Sequence, residues 1–272
     1  DYRTIALSTS GASGAELANI VNEAALAAVR NGHTQVMQPD FDEAVDTVIA
    51  GKERKGAVIS EKEKRIIAYH EIGHALVAAV SKNSAPVHKI TIIPHTNGSF
   101  GYTMQVADEE SVLMSKDEIL EKIRTLTGGR AAEEFMFNIV TSGASNDIER
   151  ATQIARAMVT KYGMSERLGP ICYGSDNNEV FIGRDMGHMK NYSEKIAAEI
   201  DEEIQKIVGR GYQKTEQLLN EHMDKLHKVA QFLFVNEKMS GAEFKELMEA
   251  PAPEKLEEQL GMQLFVRSSK KV

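Results

Sequence analysis

The chain has little of several features that mark whole classes of protein. Its one cysteine, Cys172, excludes an internal disulfide framework and any zinc site made of several cysteines. It has no run of about 18–20 uncharged apolar residues that could span a bilayer, and no basic-then-apolar start of the secretory type. Basic residues number 32 against 40 acidic ones, and this net charge of −8 argues against nucleic acid as the main partner.

The rest of the composition is ordinary for a soluble globular protein. Of the 272 residues, 42% are hydrophobic and 26% are charged, which rules out a disordered or collagen-like chain. The length suffices for one large domain or two smaller ones. Apolar residues recur mostly at helical spacing, and β-branched and aromatic runs replace this pattern only around residues 87–106. We therefore predict a mainly α-helical fold with a small β element.

The first part of the chain is predicted to form a small helical unit. Ser13 and Glu16 form a capping-box pattern at the start of a helix over residues 14–30, and Pro39 is placed to open a second helix. This unit is too small for a sizeable core of its own. The polar stretch GKERKG, residues 51–56, is the best candidate for a boundary.

The rest of the chain is predicted to form helices around one hairpin. The pair Asn97-Gly98 separates two β-like runs, residues 87–94 and 100–106, and is a signal for a hairpin-type turn. We expect the tail over 251–272 to be disordered or to dock elsewhere. The predicted helices lie at about 60–82, 115–136, 146–163, 191–208 and 210–236, with a last short one from Ser240. Ser60 with Glu63 and Ser240 with Glu243 have the capping-box spacing at the start of the first and the last of these helices.

The segment that indicates chemistry is His70-Glu71-Ile72-Gly73-His74, an HExxH pattern within a predicted helix. Histidines four residues apart share one helix face, so both imidazoles can bind one ion, and Glu71 is placed to take a proton from a metal-activated water. Zinc suits such a site because it accepts imidazole nitrogen and leaves a position for water. Two surface histidines are the plain alternative, but this helix is apolar nearly all round, and buried histidines need polar partners.

A catalytic zinc needs a third protein ligand, and several residues could supply it. The patterns with a histidine six residues after the second one, or with a glutamate about twenty residues further on, both fail here. We favour Asp147, in a loop of small residues that leads into the helix over 146–163. A role in stabilising the start of that helix would equally explain an acid there, and His88, His95 and Asp108 remain alternatives.

Three segments together resemble the FtsH family of membrane-anchored, ATP-dependent zinc proteases: HEIGH at 70–74, GGRAAEE at 128–134 and TSGASNDIERAT at 141–152. The likeness covers nearly the whole chain. Residues 1–52 resemble the helical lid of that family's AAA+ ATPase module, and residues 57–250 resemble its zinc metallopeptidase domain.

The resemblance implies a role for each residue of the candidate site. His70, His74 and Asp147 would bind one Zn²⁺ per chain, and Glu71 would be the general base of an endopeptidase. The two β-like runs match the region where the family presents a sheet edge to an extended substrate, which fits β-augmentation.

The resemblance also implies partners and a location. The parent protein would be a homohexamer that degrades unfolded or membrane proteins, with this portion on the cytoplasmic side of a membrane or on the matrix or stroma side in an organelle. The family's phosphate-loop pattern GxxxxGK[ST] does not occur here. We therefore expect a soluble, truncated or processed fragment, with membrane anchoring and ATP binding confined to the rest of the parent protein.

One function of a different class remains as the alternative: a non-catalytic module that oligomerises the ATPase around a structural metal. A fourth protein ligand would favour it, whereas the intact Glu71 counts against it. The other notable residues have plainer interpretations. GGRAAEE is taken as small residues for close helix packing with charges at a surface or subunit contact, Cys172 as structural, and His222 and His227 as solvated or satisfied histidines.

Overall fold

The structure is a computed structural model that describes residues 2–49, 51–54, 59–96, 98–107, 113–173 and 192–250. Within these residues the chain is mainly helical with one three-stranded sheet, which confirms the predicted fold class. None of these helices combines the length and apolar character needed to cross a bilayer. The helices are α1 (Tyr2–Ser8), α2 (Gly14–Arg30), α3 (Gln38–Ile49), α4 (Glu61–Val80), α5 (Lys116–Phe137), α6 (Ser145–Thr160), α7 (Glu194–Glu221), α8 (Met223–Asn236) and α9 (Gly241–Glu249), and the strands are β1 (Val87–Thr91), β2 (Tyr102–Gln105) and β3 (Lys238–Ser240).

The N-terminal unit consists of α1, α2 and α3. Ser13 caps α2 with the predicted capping box to Glu16, and α1 was not predicted. The core between α2 and α3 is small, as expected for a unit of this size, and consists of Ile20, Ala24, Ala44 and Val45 with Phe41, Val48 and Met104 packed against it.

Polar contacts join this unit to the sheet. The carboxylate of Asp46 on α3 accepts a hydrogen bond from the Tyr102 hydroxyl of β2 at 2.6 Å and forms an ion pair with Lys89 of β1. The described part of the predicted hinge is also hydrogen-bonded, because the backbone N–H of Arg54 donates to the carbonyl of Pro94 at 2.8 Å.

Helix α4 is the central element of the larger unit. It begins with the predicted capping box of Ser60 and Glu63, and its C-terminal half is buried almost completely. Its axis comes very close to that of α5, because Gly73 on α4 faces Gly128 on α5. A Cβ on Gly128 would lie 2.6 Å from the carbonyl oxygen of Gly73, so only glycine permits this approach.

The sheet lies beside α4 and has the order β2-β1-β3. The predicted hairpin is confirmed: β1 and β2 are antiparallel, with Val87 opposite Gln105 and Thr91 opposite Tyr102. Strand β3, which was not predicted, adds to the other side of β1. Within the described residues, β2 therefore forms an open edge of the sheet.

The prediction of separate helices at 191–208 and 210–236 was wrong about the break between them. Helix α7 continues through Gly209 and Gly211, and the interruption occurs at His222. Neither glycine ends the helix: a Cβ on Gly209 would meet nothing within 4 Å, and Gly211 packs against α5, where a Cβ would lie 3.1 Å from a methyl group of Ile123.

Helix α9 begins with the predicted capping box of Ser240 and Glu243. Four features of the sequence prediction lie outside the described residues: Asn97 of the turn signal, the alternative ligand Asp108, the end of the hinge at 55–56 and the tail over 251–272.

Candidate metal centre

Helix α4 presents His70 and His74 on one face, one turn apart and almost entirely buried. The Nε2 atoms of the two imidazoles are 3.0 Å apart, and the rings meet edge to face with centroids 4.7 Å apart. The histidine pair of the HExxH pattern is therefore directed at one point in space.

Asp147 lies at this same point. It stands in the first turn of α6, where its Oδ2 atom is 3.5 Å from Nε2 of His70 and 3.4 Å from Nε2 of His74. No side chain caps the helix at Ala144, the residue before its first turn. Among the described residues, these three form the one group of at least three His, Cys, Asp or Glu side chains that could hold a metal ion.

The spacing of the three ligand atoms suits a small tetrahedral cation. Zinc binds imidazole nitrogen and carboxylate oxygen at about 2.0–2.2 Å, so tetrahedral ligand atoms stand about 3.3 Å from one another. The observed separations of 3.0, 3.4 and 3.5 Å are close to this value. Three protein ligands would leave a fourth position for water or substrate.

The other ring nitrogens of both histidines are anchored. Nδ1 of His70 donates to the Glu133 carboxylate at 2.7 Å, and Nδ1 of His74 donates to the backbone carbonyl of Thr125 at 2.7 Å. In the neutral form of each imidazole these bonds place the single proton on Nδ1 and leave Nε2 facing the shared point, an arrangement common at metal-binding histidines. Glu133 is itself held by the backbone N–H and hydroxyl of Thr141.

The interpretation of GGRAAEE as packing residues with surface charges is therefore wrong for Glu133, which is 1% exposed and contacts a candidate ligand. A signal was present in the sequence. Glu133 follows Gly129 by four residues, so both lie on the face of α5 that meets α4. The spacing of Gly129 and Glu133 indicates a contact with His70 only once α5 is known to pack on the HExxH helix.

The site is strongly polarised. Burial alone lowers the pKa of His70, but hydrogen bonds to Asp147 and Glu133 outweigh it and raise that pKa to about 10. Burial alone raises the pKa of Asp147 and of Glu133, yet the bonds from the imidazoles lower both pKa values below the usual range. Two ionised carboxylates thus surround the imidazoles, which favours a cation between them.

Glu71 stands beside the three candidate ligands and is not one of them. Its side chain is buried, and this burial raises the pKa of its carboxyl. The Thr103 hydroxyl of β2 lies 2.8 Å from its Oε2 atom. A carboxyl with a raised pKa next to a metal site is typical of a general base.

The two histidines considered as alternatives to Asp147 lie elsewhere. His88 is on β1 and lines a cavity that Asp46 and Phe232 also line. His95 is buried against Tyr102, with ring centroids 5.3 Å apart. Neither belongs to the candidate group, in which Asp147 is the third residue beside His70 and His74.

His227 is buried and its Nδ1 lies 2.9 Å from the Tyr69 hydroxyl, while Cys172 is exposed and lies outside the candidate group.

Two family models match the chain. The model described as peptidase family M41 matches residues 57–247, which is more than half of the chain, and the model described as the AAA+ lid domain matches residues 1–43.

The chain is also similar to several curated proteins named ATP-dependent zinc metalloprotease FtsH. It is 50% identical over 245 residues to FtsH 1 of Thermoanaerobacter sp. (strain X514), covering 90% of this chain and 40% of the relative. It is 48% identical over 244 residues to FtsH of Thermotoga maritima, with the same coverage, and 52% identical over 248 residues to FtsH of Lancefieldella parvula, covering 91% and 38%. The chain thus spans about two fifths of the length of these relatives.

Proposed function

Because this chain belongs to peptidase family M41, we propose that it carries the zinc endopeptidase centre of an ATP-dependent protease. The observation that carries the proposal is the triangle of His70, His74 and Asp147 with Glu71 beside it. The relatives named as zinc metalloproteases support zinc as the metal, and the ligand spacing suits it.

The site residues divide the chemistry of peptide hydrolysis among them. When bound, zinc supplies Lewis acidity and lowers the pKa of water in contact with it to about 7. His70, His74 and Asp147 would hold the ion, and Glu133 orients His70. Glu71 takes a proton from the attacking water and later delivers one to the leaving amine.

The edge of the sheet is where we propose that the substrate binds. Strand β2 is an open edge within the described residues, and it passes directly beside Glu71 through Thr103. An extended peptide added to this edge would be bound through its backbone, with little sequence preference. We propose that unfolded polypeptides and membrane proteins reach the site in this way.

The alternative, a non-catalytic module with a structural metal, has less support. A closed structural zinc site takes four protein ligands, and the candidate group within the described residues has three. A buried glutamate next to the open position has no purpose in a structural site, because burial of an acid costs free energy.

We place the AAA+ lid at 1–52 and the metallopeptidase domain at 57–250. The chain spans only part of its relatives, so ATP hydrolysis, membrane anchoring and unfolding of substrates are proposed for the parent protein as a whole. There, this portion would face the cytoplasm or, in an organelle, the matrix or stroma.

We expect the peptidase domain to form a homohexamer through contacts within residues 57–250. Light scattering should then give six times the mass of one chain. After deletion of residues 1–50, the particle should still contain six of the shortened chains, because the small lid contributes little buried surface. A monomer after the deletion, with a hexamer for the full chain, would assign the contacts to the lid instead.

The metal site is tested by Asp147→Ala and Asp147→Asn. If Asp147 is a ligand, zinc affinity measured by competition with a chelator should fall well beyond the roughly 10-fold typical of residues that only support a ligand, and casein cleavage should fall with it. If it only stabilises the start of α6, the loss is about 0.3–1 kcal/mol of stability with zinc retained.

Glu149→Gln is the matched control, because it removes the next acidic charge of the same helix from an exposed position. Near-native zinc affinity in both Asp147 variants would contradict the proposed site.

A further inference from the structure

We propose that Thr103 is a positioning residue that holds the Glu71 carboxylate so that one defined oxygen takes the proton from water. The inference rests on the proposed function, because it assigns a partner to the general base. Thr103 belongs to β2 and no pattern in the sequence connects it with the HExxH motif.

The contact is short and specific. The Thr103 Oγ1 atom lies 2.8 Å from Oε2 of Glu71 and 3.1 Å from the Glu71 backbone carbonyl. A hydroxyl has one proton, and donation to the ionised carboxylate gives the stronger bond. The bond therefore constrains the end of a side chain that would otherwise rotate about its terminal torsion.

A second residue of the same sheet region, Gly101, lies close to the other side of the carboxylate. A Cβ built on Gly101 would lie 3.1 Å from Oε1 and 3.2 Å from Cγ of Glu71, and 2.7 Å from the carbonyl oxygen of Thr91. Gly101 directly precedes β2 and Thr103 lies within it, and both approach the Glu71 side chain. Any side chain at position 101 would therefore crowd the Glu71 carboxylate and the Thr91 carbonyl.

The two oxygens of Glu71 consequently differ. Oε2 accepts the hydrogen bond from Thr103, whereas Oε1 has no hydrogen-bond partner within the described residues. Thr103 thus occupies one oxygen and leaves Oε1 to accept the proton of the attacking water. Proton transfer needs a heavy-atom separation of about 2.6–3.2 Å, so a carboxylate free to turn would spend less time in the productive orientation.

The test compares Thr103→Val, Thr103→Ala and Thr103→Ser in zinc-loaded protein. Valine keeps the shape of threonine and removes the hydroxyl donor. Alanine also removes the donor, with a smaller side chain than valine. We expect kcat for a fluorogenic peptide to fall about 10- to 100-fold in both, the range for a hydrogen bond to a charged group. KM and zinc content should stay within about twofold, and Thr103→Ser should restore most of kcat.

Thr91→Val is the matched control. Thr91 is a buried threonine on the neighbouring strand, and its hydroxyl contacts the carbonyl of Glu237 at 3.3 Å and not the base. Its loss should lower stability without changing kcat. Unchanged kcat in folded Thr103→Val and Thr103→Ala, or an equal loss in Thr91→Val, would overturn the inference.

Glu71→Gln measured in parallel separates this inference from the proposed function. An inactive Glu71→Gln with fully active Thr103 variants would remove the role of Thr103 and leave the base in place. A fully active Glu71→Gln would instead remove the proposed function itself.

Discussion

Glu71→Gln should reduce cleavage of unfolded casein by at least about 100-fold, the usual scale for loss of a general base. Glutamine keeps the size of the side chain and the contact with Thr103, but it cannot take a proton from water at neutral pH. Zinc content should stay at that of the unchanged chain, because Glu71 is not among the three candidate ligands. Zinc analysis and a casein assay on the same sample make the measurement.

Glu121→Gln is the control for this substitution. Glu121 is a second buried glutamate, and it accepts a hydrogen bond from the backbone N–H of Asn83 at 2.7 Å, away from the site. Its replacement should affect stability and leave cleavage close to normal. Cleavage at the normal rate by a zinc-loaded Glu71→Gln protein would place the base elsewhere.

Gly129→Ala should abolish zinc binding, and cleavage with it. A Cβ on Gly129 would stand closer than 3.0 Å to Nε2 of both His70 and His74, in the space where their lone pairs meet. A methyl group there would occupy the volume of the ion or push the imidazoles apart, and zinc tolerates deviations of only about 0.2 Å in its ligand distances. Zinc titration against a chelator should show the loss even where circular dichroism shows a folded helical protein.

Gly209→Ala is the matched control. Gly209 also lies inside a helix, but it is exposed and a Cβ there meets nothing within 4 Å. Alanine at this position should stabilise the protein by about 0.5–1 kcal/mol, because glycine is unfavourable within a helix. Zinc affinity should not change. Normal zinc binding by Gly129→Ala would contradict the placement of the metal between the two imidazoles.

The two glycines of α5 thus differ in purpose although they are neighbours. Gly128 allows the backbones of α4 and α5 to approach, and Gly129 leaves space beside the imidazoles. The interpretation of GGRAAEE as packing residues therefore describes Gly128 well and misses both Gly129 and Glu133.

The sequence by itself determined the features that depend on local interactions. Capping boxes at Ser13, Ser60 and Ser240 mark helix starts correctly, because each joins residues only three apart. The hairpin and the shared face of His70 and His74 follow from spacing in the same way. Its likeness to a known family supplied the proposed third ligand, which local chemistry left open.

Only the tertiary structure decided the contacts between distant segments. Asp147, Glu133 and Thr103 come from three different elements, and each reaches the HExxH helix through packing that no local pattern encodes. The sequence prediction also broke a helix at residue 209, whereas α7 continues through Gly209 and, packed against Ile123 of α5, through Gly211. The physical reason is that the conformation of a short segment depends on its neighbours in sequence, whereas a site assembled from several elements depends on which faces pack together.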